Sequence, residues 1–142
     1  MLSDEGFEVV DSPVFLRDRV LPRLGEDLGQ VWESAMLHPT CSTTHLGSGE
    51  AVKTVAGAVV GTVDTPDDWG CCAFAGDRGM LHPELTASAT QAEAQAVDAG
   101  DYSLHVSTNR TCEIGMTRAT GRQYVGLISA LAQAAEETSE RD

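Results

Sequence analysis

The sequence predicts an α/β fold: a parallel sheet of about four strands with flanking helices, in a Rossmann-like three-layer βα repeat. Two observations carry this expectation. Strand-like and helix-like segments alternate along the chain, and successive βα units with right-handed crossovers build a parallel sheet covered by helices. The chain has 142 residues, 42% of them hydrophobic, which suits a single domain with one core over residues 1–142.

The elements follow in order. FEVV (7–10) reads as a first short strand, and Ser12-Pro13 as an N-cap and N1 pair opening the helical stretch VFLRDRVL, which Pro22 is expected to end. VWESAMLH (31–38) is the second strand, running into a turn at Pro39. Ser48 or Gly49 then opens EAVKTVAGAV, where Ala51, Val55 and Val59 fall at helical spacing. The β-branched VVGTVDT (59–65) is the third strand, and a glycine-rich loop follows it. LTASATQAEAQAVDAG reads as an alanine-rich helix stopped by Gly100. YSLHVST (102–108) alternates like a strand, and RTCEIGMTRATG is a short helix ending at Gly121. QYVGLISALAQAAEE (123–137) closes the pattern as an amphipathic helix, with Val125, Ile128, Leu131 and Ala135 on one face.

The formal charge is −13, from 22 acidic against 9 basic residues. Such a surface repels phosphate backbones and anionic headgroups, so nucleic-acid binding and electrostatic membrane docking are not expected. Solubility, or a salty or high-GC background, accounts for the acidity. No apolar run is long enough to insert in a membrane, and MLSDEGFEVVD lacks the basic n-region of a signal peptide. The expected location is the cytoplasm, a peripheral position at the inner face of the membrane being compatible with it.

Four cysteines in a cytoplasmic domain serve metal or redox chemistry more often than a disulfide scaffold. Cys71 and Cys72 are adjacent in DDWGCCAFAGDRG, a poor geometry for bridging each other. In a parallel sheet every strand ends at the same edge, where ligands bind. Cys41 follows the second strand, Cys71 and Cys72 the third, and Cys112 the fourth, so all four are expected in loops on that edge. Thiolates select zinc, copper(I) or iron–sulfur clusters. Cys112, near a helix N-terminus with Arg110 beside it, is expected to have a lowered pKa. Four small buried apolar residues are the plain alternative.

His38 and His45 flank Cys41 and could complete a mixed Cys/His site, although histidines so placed more often orient a loop. His82 reads as part of a turn and His105 as a core or face residue. Asp67 and Asp68 read as a solvated turn. Arg78, Arg110, Arg118 and Arg122 lie near the cysteine segments, either balancing a thiolate-bound cluster or pairing with surface carboxylates. Ser42, Thr43 and Thr44 offer hydroxyls with no evident base.

HPTCSTTHLG, DDWGCCAFAGDRG and NRTCEIGMTRATGR together resemble the second half of the cysteine-rich region, the CCG domain, that closes FAD-linked D-lactate dehydrogenases and the related iron–sulfur subunit of glycolate oxidase. Heterodisulfide reductase carries the same type of domain in one of its chains. The resemblance runs over about residues 7–135 and implies that Cys41, Cys71, Cys72 and Cys112 are cluster or metal cysteines, holding an iron–sulfur cluster or zinc. Four thiolates match a tetrahedral zinc site or one [4Fe–4S] cluster in number. The family's glycine after the pair is Ala73 here, and Asn109 stands where a further cysteine often occurs.

The resemblance implies an electron-transfer module of an FAD-linked 2-hydroxy-acid dehydrogenase, relaying electrons from flavin to a quinone or cytochrome acceptor. The implied partners are the FAD-binding and ferredoxin-like domains or subunits of the parent enzyme. The chain lacks a glycine-rich dinucleotide fingerprint and C-x₂-C-x₂-C runs, so FAD is expected in the parent enzyme and not on this chain, and no catalysis is expected from the chain alone. A zinc-binding or metal-free docking domain of the same assembly is the alternative.

Overall fold

The computed structural model describes Gly6, residues 8–25 and residues 28–140. Four strands, β1 (Trp32–His38), β2 (Val60–Asp64), β3 (Leu104–Ser107) and β4 (Tyr124–Gly126), form one sheet in the order β2-β1-β3-β4. Every neighbouring pair is parallel. The expected class and number of strands are therefore present, but two members differ from expectation.

Glu8–Val10 forms no strand, and Val9 is 75% exposed; Phe7, the first residue of that expected strand, lies outside the described residues. Glu8, Val9 and Val10 are all exposed, so none of these three anchors a strand in the core. The fourth strand is instead Tyr124–Gly126, which apolar periodicity merges with the helix after it. Its short span pairs His105 with Tyr124 and Ser107 with Gly126, and Gly126 then caps α9 (Leu127–Ser139).

Helix α1 (Ser12–Phe15) opens where Asp11 accepts a hydrogen bond from the Ser12 N–H. It continues through a π-helical turn, Leu16–Val20, into α2 (Leu21–Leu24). Pro22 does not end the helix: it occupies the first turn of α2, where its missing N–H removes no needed bond. After β1 come α3 (Cys41–Leu46) and α4 (Gly49–Val59). The alanine-rich stretch after β2 divides into α6 (Pro83–Ala89) and α7 (Gln91–Ala99), preceded by the single turn α5 (Arg78–Leu81). Helix α8 (Arg110–Thr120) links β3 to β4.

Strand side chains alternate between faces, and each face meets its own layer. Ala35 and Leu37 of β1 and Leu104 and Val106 of β3 join Val52, Val55 and Val59 of α4 and Leu127, Leu131 and Ala134 of α9 in an aliphatic core. The opposite face carries Met36, His38, His105 and Tyr124 under α6, α7 and α8, and its cluster contains Cys72, Phe74, Cys112, Met116 and Tyr124. Strand β1 is followed by β2 on one side, whereas β3 is followed by β4 on the other. The chain direction thus switches between β1 and β3, and their carboxyl ends border the crevice where this architecture binds ligands.

Candidate metal centre

His38 is the last residue of β1, at the switch point, and it is fully buried. It pairs in register with Ser107, whose hydroxyl donates to the His38 carbonyl at 3.2 Å. That bond pins the strand end from which the imidazole projects. Nδ1 of His38 lies 2.8 and 2.9 Å from the two carboxylate oxygens of Glu93 on α7. Nε2 is buried without a hydrogen-bond partner. A ring nitrogen of His38 and the sulfurs of Cys72 and Cys112 all lie within 4.8 Å of one another, and all three residues are buried. With Nδ1 committed to Glu93, Nε2 is the nitrogen that faces the thiols.

Cys72 is placed by the loop after β2. Phe74, fully buried, anchors that loop by lying against Gly79 and Gly115; a Cβ on Gly79 would come within 2.6 Å of its ring. Arg118 lies over the same ring, 5.7 Å from its centroid. Ala73 and Ala75 on either side take the left-handed region, with φ of 54° and 45°, a conformation disfavoured for a residue with a Cβ. This backbone turns Cys72 inward while Cys71 stays exposed. The Ala73 N–H donates to Cys71 Sγ at 3.4 Å.

Cys112 sits in the first turn of α8, whose N-cap is Asn109. The Asn109 side chain accepts from the Thr111 N–H at 3.0 Å and the Thr111 hydroxyl at 2.8 Å. Asparagine at 109 thus has a capping role. Cys72 Sγ and Cys112 Sγ are 3.2 Å apart, close enough to share a proton.

Burial opposes charge on the His38 ring, but its approach to Cys72 and its bond to Glu93 outweigh this and push its pKa up to about 9. The Cys112 thiol first, against burial, and then His38 and the Phe74 N–H bring Cys72 down to about 4. Cys112 moves the other way: its bond to Cys72, its burial and the neighbouring thiols raise it. The expected low pKa at Cys112 is therefore corrected. The helix N-terminus is outweighed by the thiolate beside it, and Cys72 is the anionic member of the pair.

Of the sequence-derived candidates, Cys72, Cys112 and His38 come together. Cys41 opens α3 and Cys71 lies in the loop; both are exposed and outside the 4.8 Å group. Cys41 follows the end of β1 and Cys71 the end of β2, so both remain at the carboxyl edge of the sheet. Of the four cysteines only Cys71 and Cys72 occupy a loop, since Cys41 begins α3 and Cys112 lies in the first turn of α8. His45, in the last turn of α3, is exposed. Asp67 and Asp68 are exposed, as expected of a solvated turn. Arg110 pairs with Glu113 at 2.7 Å. His105 is buried between Tyr102 and Tyr124, and burial, then the charge of Arg122, hold its pKa below the usual imidazole value. Thr40, Ser42, Thr43 and Thr108 form a hydroxyl cluster that bonds within itself.

Glu93 was missed by sequence reasoning. It lies 55 residues from its partner among the alanines and acids of α7, and only its burial, 2% exposed, distinguishes it.

The group fits a metal ion on its own chemistry: two thiols, one lowered toward thiolate, and an unpartnered imidazole nitrogen converge in a buried spot. It can bind a metal ion, and the donor set does not select which one. Among the described residues no helix is long and apolar enough to cross a membrane. Comparison with protein-family models, with curated proteins and with solved structures finds no significant match to this chain.

Proposed function

We propose that this chain is the metal–thiolate electron-transfer module of an FAD-linked 2-hydroxy-acid dehydrogenase of the D-lactate or glycolate type, relaying electrons from flavin to a quinone or cytochrome acceptor. The observation that supports this reading most is the buried group of Cys72, Cys112 and His38 at the switch point, with Cys41 and Cys71 following the strand ends at the same edge. An iron–sulfur centre bound there supplies one-electron redox chemistry. The chain's own residues supply thiolates, exclude water from the inner pair and leave two exposed thiols at the rim. In this reading Cys72 and Cys112 hold the inner side of the centre, and Cys41 and Cys71 complete it. The partners are the FAD-binding and ferredoxin-like domains or subunits of the parent enzyme, in the cytoplasm or at the inner face of its membrane. The left-handed backbone at Ala73 adds support, because the resembled family carries glycine there.

A second reading, a zinc-binding docking domain of the same assembly, is favoured by one observation. A His/Cys/Cys trio backed by a carboxylate is a donor set that zinc takes readily, with a further thiol closing a tetrahedron. Purification under anaerobic conditions separates the two. Brown protein containing iron, with visible iron–sulfur absorption, supports the electron-transfer module; colourless protein with stoichiometric zinc replaces it with the docking domain.

A further inference from the structure

A buried glutamate in an alanine-rich helix calls for a physical reason. Glu93 is 2% exposed, and a carboxylate withdrawn from water is unfavourable unless paired. Its position on α7 directs it across to the end of β1, where both its oxygens reach Nδ1 of His38. The hydroxyl of Tyr124, on the same face of the sheet, is buried without a partner and does not compete for the imidazole. The opposite edge of that imidazole, Nε2, is likewise unpartnered, and the two sulfurs lie beside the ring. An imidazole tethered at one nitrogen by a carboxylate and facing thiols with the other is the arrangement by which proteins orient a histidine ligand and raise its basicity.

We propose that Glu93 is the positioning residue of a mixed nitrogen–sulfur metal site, holding Nδ1–H of His38 so that Nε2 joins Cys72 and Cys112 as a ligand to a thiophilic divalent cation such as Zn²⁺. The inference rests on the metal reading above and extends it from an all-thiolate set to one with a histidine. Glu93 touches no metal itself. It acts through the imidazole, so its removal alters how His38 is presented and leaves the two sulfurs in place.

The test uses the 142-residue chain, reduced, metal-free and ¹⁵N-labelled, titrated anaerobically with Zn²⁺ alone and, in parallel, with Co²⁺. Zn²⁺ is expected to shift the Nε2 resonance of His38 to that of a coordinated nitrogen while Nδ1 stays protonated. Co²⁺ is expected to give thiolate-to-metal charge-transfer absorption. Glu93→Gln, which keeps shape and a hydrogen-bond acceptor, should keep the Nε2 signature and lower metal affinity by about 10- to 100-fold. Glu93→Leu should lose the Nε2 signature and retain the charge-transfer band. If the band forms in the unaltered protein while Nε2 does not shift, this inference falls and the thiolate centre stands. If neither metal binds, this inference falls, and the iron–sulfur reading is decided separately by the iron content of the anaerobically purified protein. Unchanged affinity in Glu93→Gln, which needs no rebuilding of the core, also overturns the role given to Glu93.

Discussion

The two faces of this sheet are built by the same strands and differ in almost everything else. Toward α4 and α9, β1 and β3 present Ala35, Leu37, Leu104 and Val106, and the space is filled by valine, leucine and alanine. Toward α6, α7 and α8, the alternate residues Met36, His38, His105 and Ser107 face Cys72, Cys112, Met116 and Glu93. The first face needs only apolar volume, and its stability comes from area withdrawn from water. The second buries an imidazole, a carboxylate and two thiols, an arrangement that is stable only while each group has its partner. One layer of the molecule holds the sheet together, and the other holds reactive groups in a defined geometry. Burial alone therefore does not distinguish core from site; Leu37 and His38 are adjacent and almost equally inaccessible.

Removing a thiol of the inner pair should disturb the reactive face most. Cys72→Ser or Cys112→Ser should abolish the metal-dependent absorption in a chain that still folds, as read by metal content alongside circular dichroism. His38→Leu should come next, because it leaves Glu93 buried without its partner. A loss of about 3–5 kcal/mol in metal-free stability is expected by denaturant titration. On the aliphatic face, Leu37→Ala should lose about 2–5 kcal/mol through the cavity it creates, yet each folded molecule should bind as much metal as before. A loss of metal binding in that variant would show that the two faces are not independent.

Acidity is a gentler probe of the metal-free protein. Cys72 goes from 9.0 to about 4 on folding, so its contribution is present above its unfolded value and is lost as pH falls through 4. His38 goes from 6.5 to about 9, so its contribution is complete below 6.5 and is lost as pH rises through 9. The two slopes oppose each other between 6.5 and 9, and Cys72 acts alone between 6.5 and 4. Stability should therefore be nearly level between 6.5 and 9, fall above 9 where the raised Cys112 thiol resists ionisation, and decline on acidification below 6.5. Cys72→Ala should flatten that decline, as followed by the urea midpoint at each pH. The smallest effect is expected in the loop between the faces: Ala73→Gly relieves a left-handed φ of 54° and should stabilise by about 1 kcal/mol or less, measured as a small rise in melting temperature.

Much of this was legible in the chain itself. The apolar run at 31–38, the β-branched segment 59–65 and the alternating segment 102–108 announce the strands found at 32–38, 60–64 and 104–107, and the helix over Arg110–Thr120 has a cap at one end and a glycine at the other. The convergence of cysteine-bearing segments at one edge follows from parallel topology, because every strand in such a sheet ends on the same side. Local rules failed where a short segment's fate depends on a distant one. Tyr124–Gly126 has three residues and no pattern to separate it from α9, yet it is a strand because β3 offers its open edge. FEVV has the composition of a strand, but Glu8–Val10 pairs with no described strand.

Periodicity, caps and crossover geometry act locally, and they suffice for the α/β class, the parallel order of βα units and the set of thiols brought to the carboxyl edge. Which members of that set meet is a matter of tertiary structure alone. It buries Cys72 and leaves the adjacent Cys71 exposed, brings Cys112 to within 3.2 Å of Cys72 across 40 residues, and places Glu93 behind His38. The physical reason is that proximity of side chains from different elements is set by how helices pack on the sheet, and that packing is written in no single stretch of the chain.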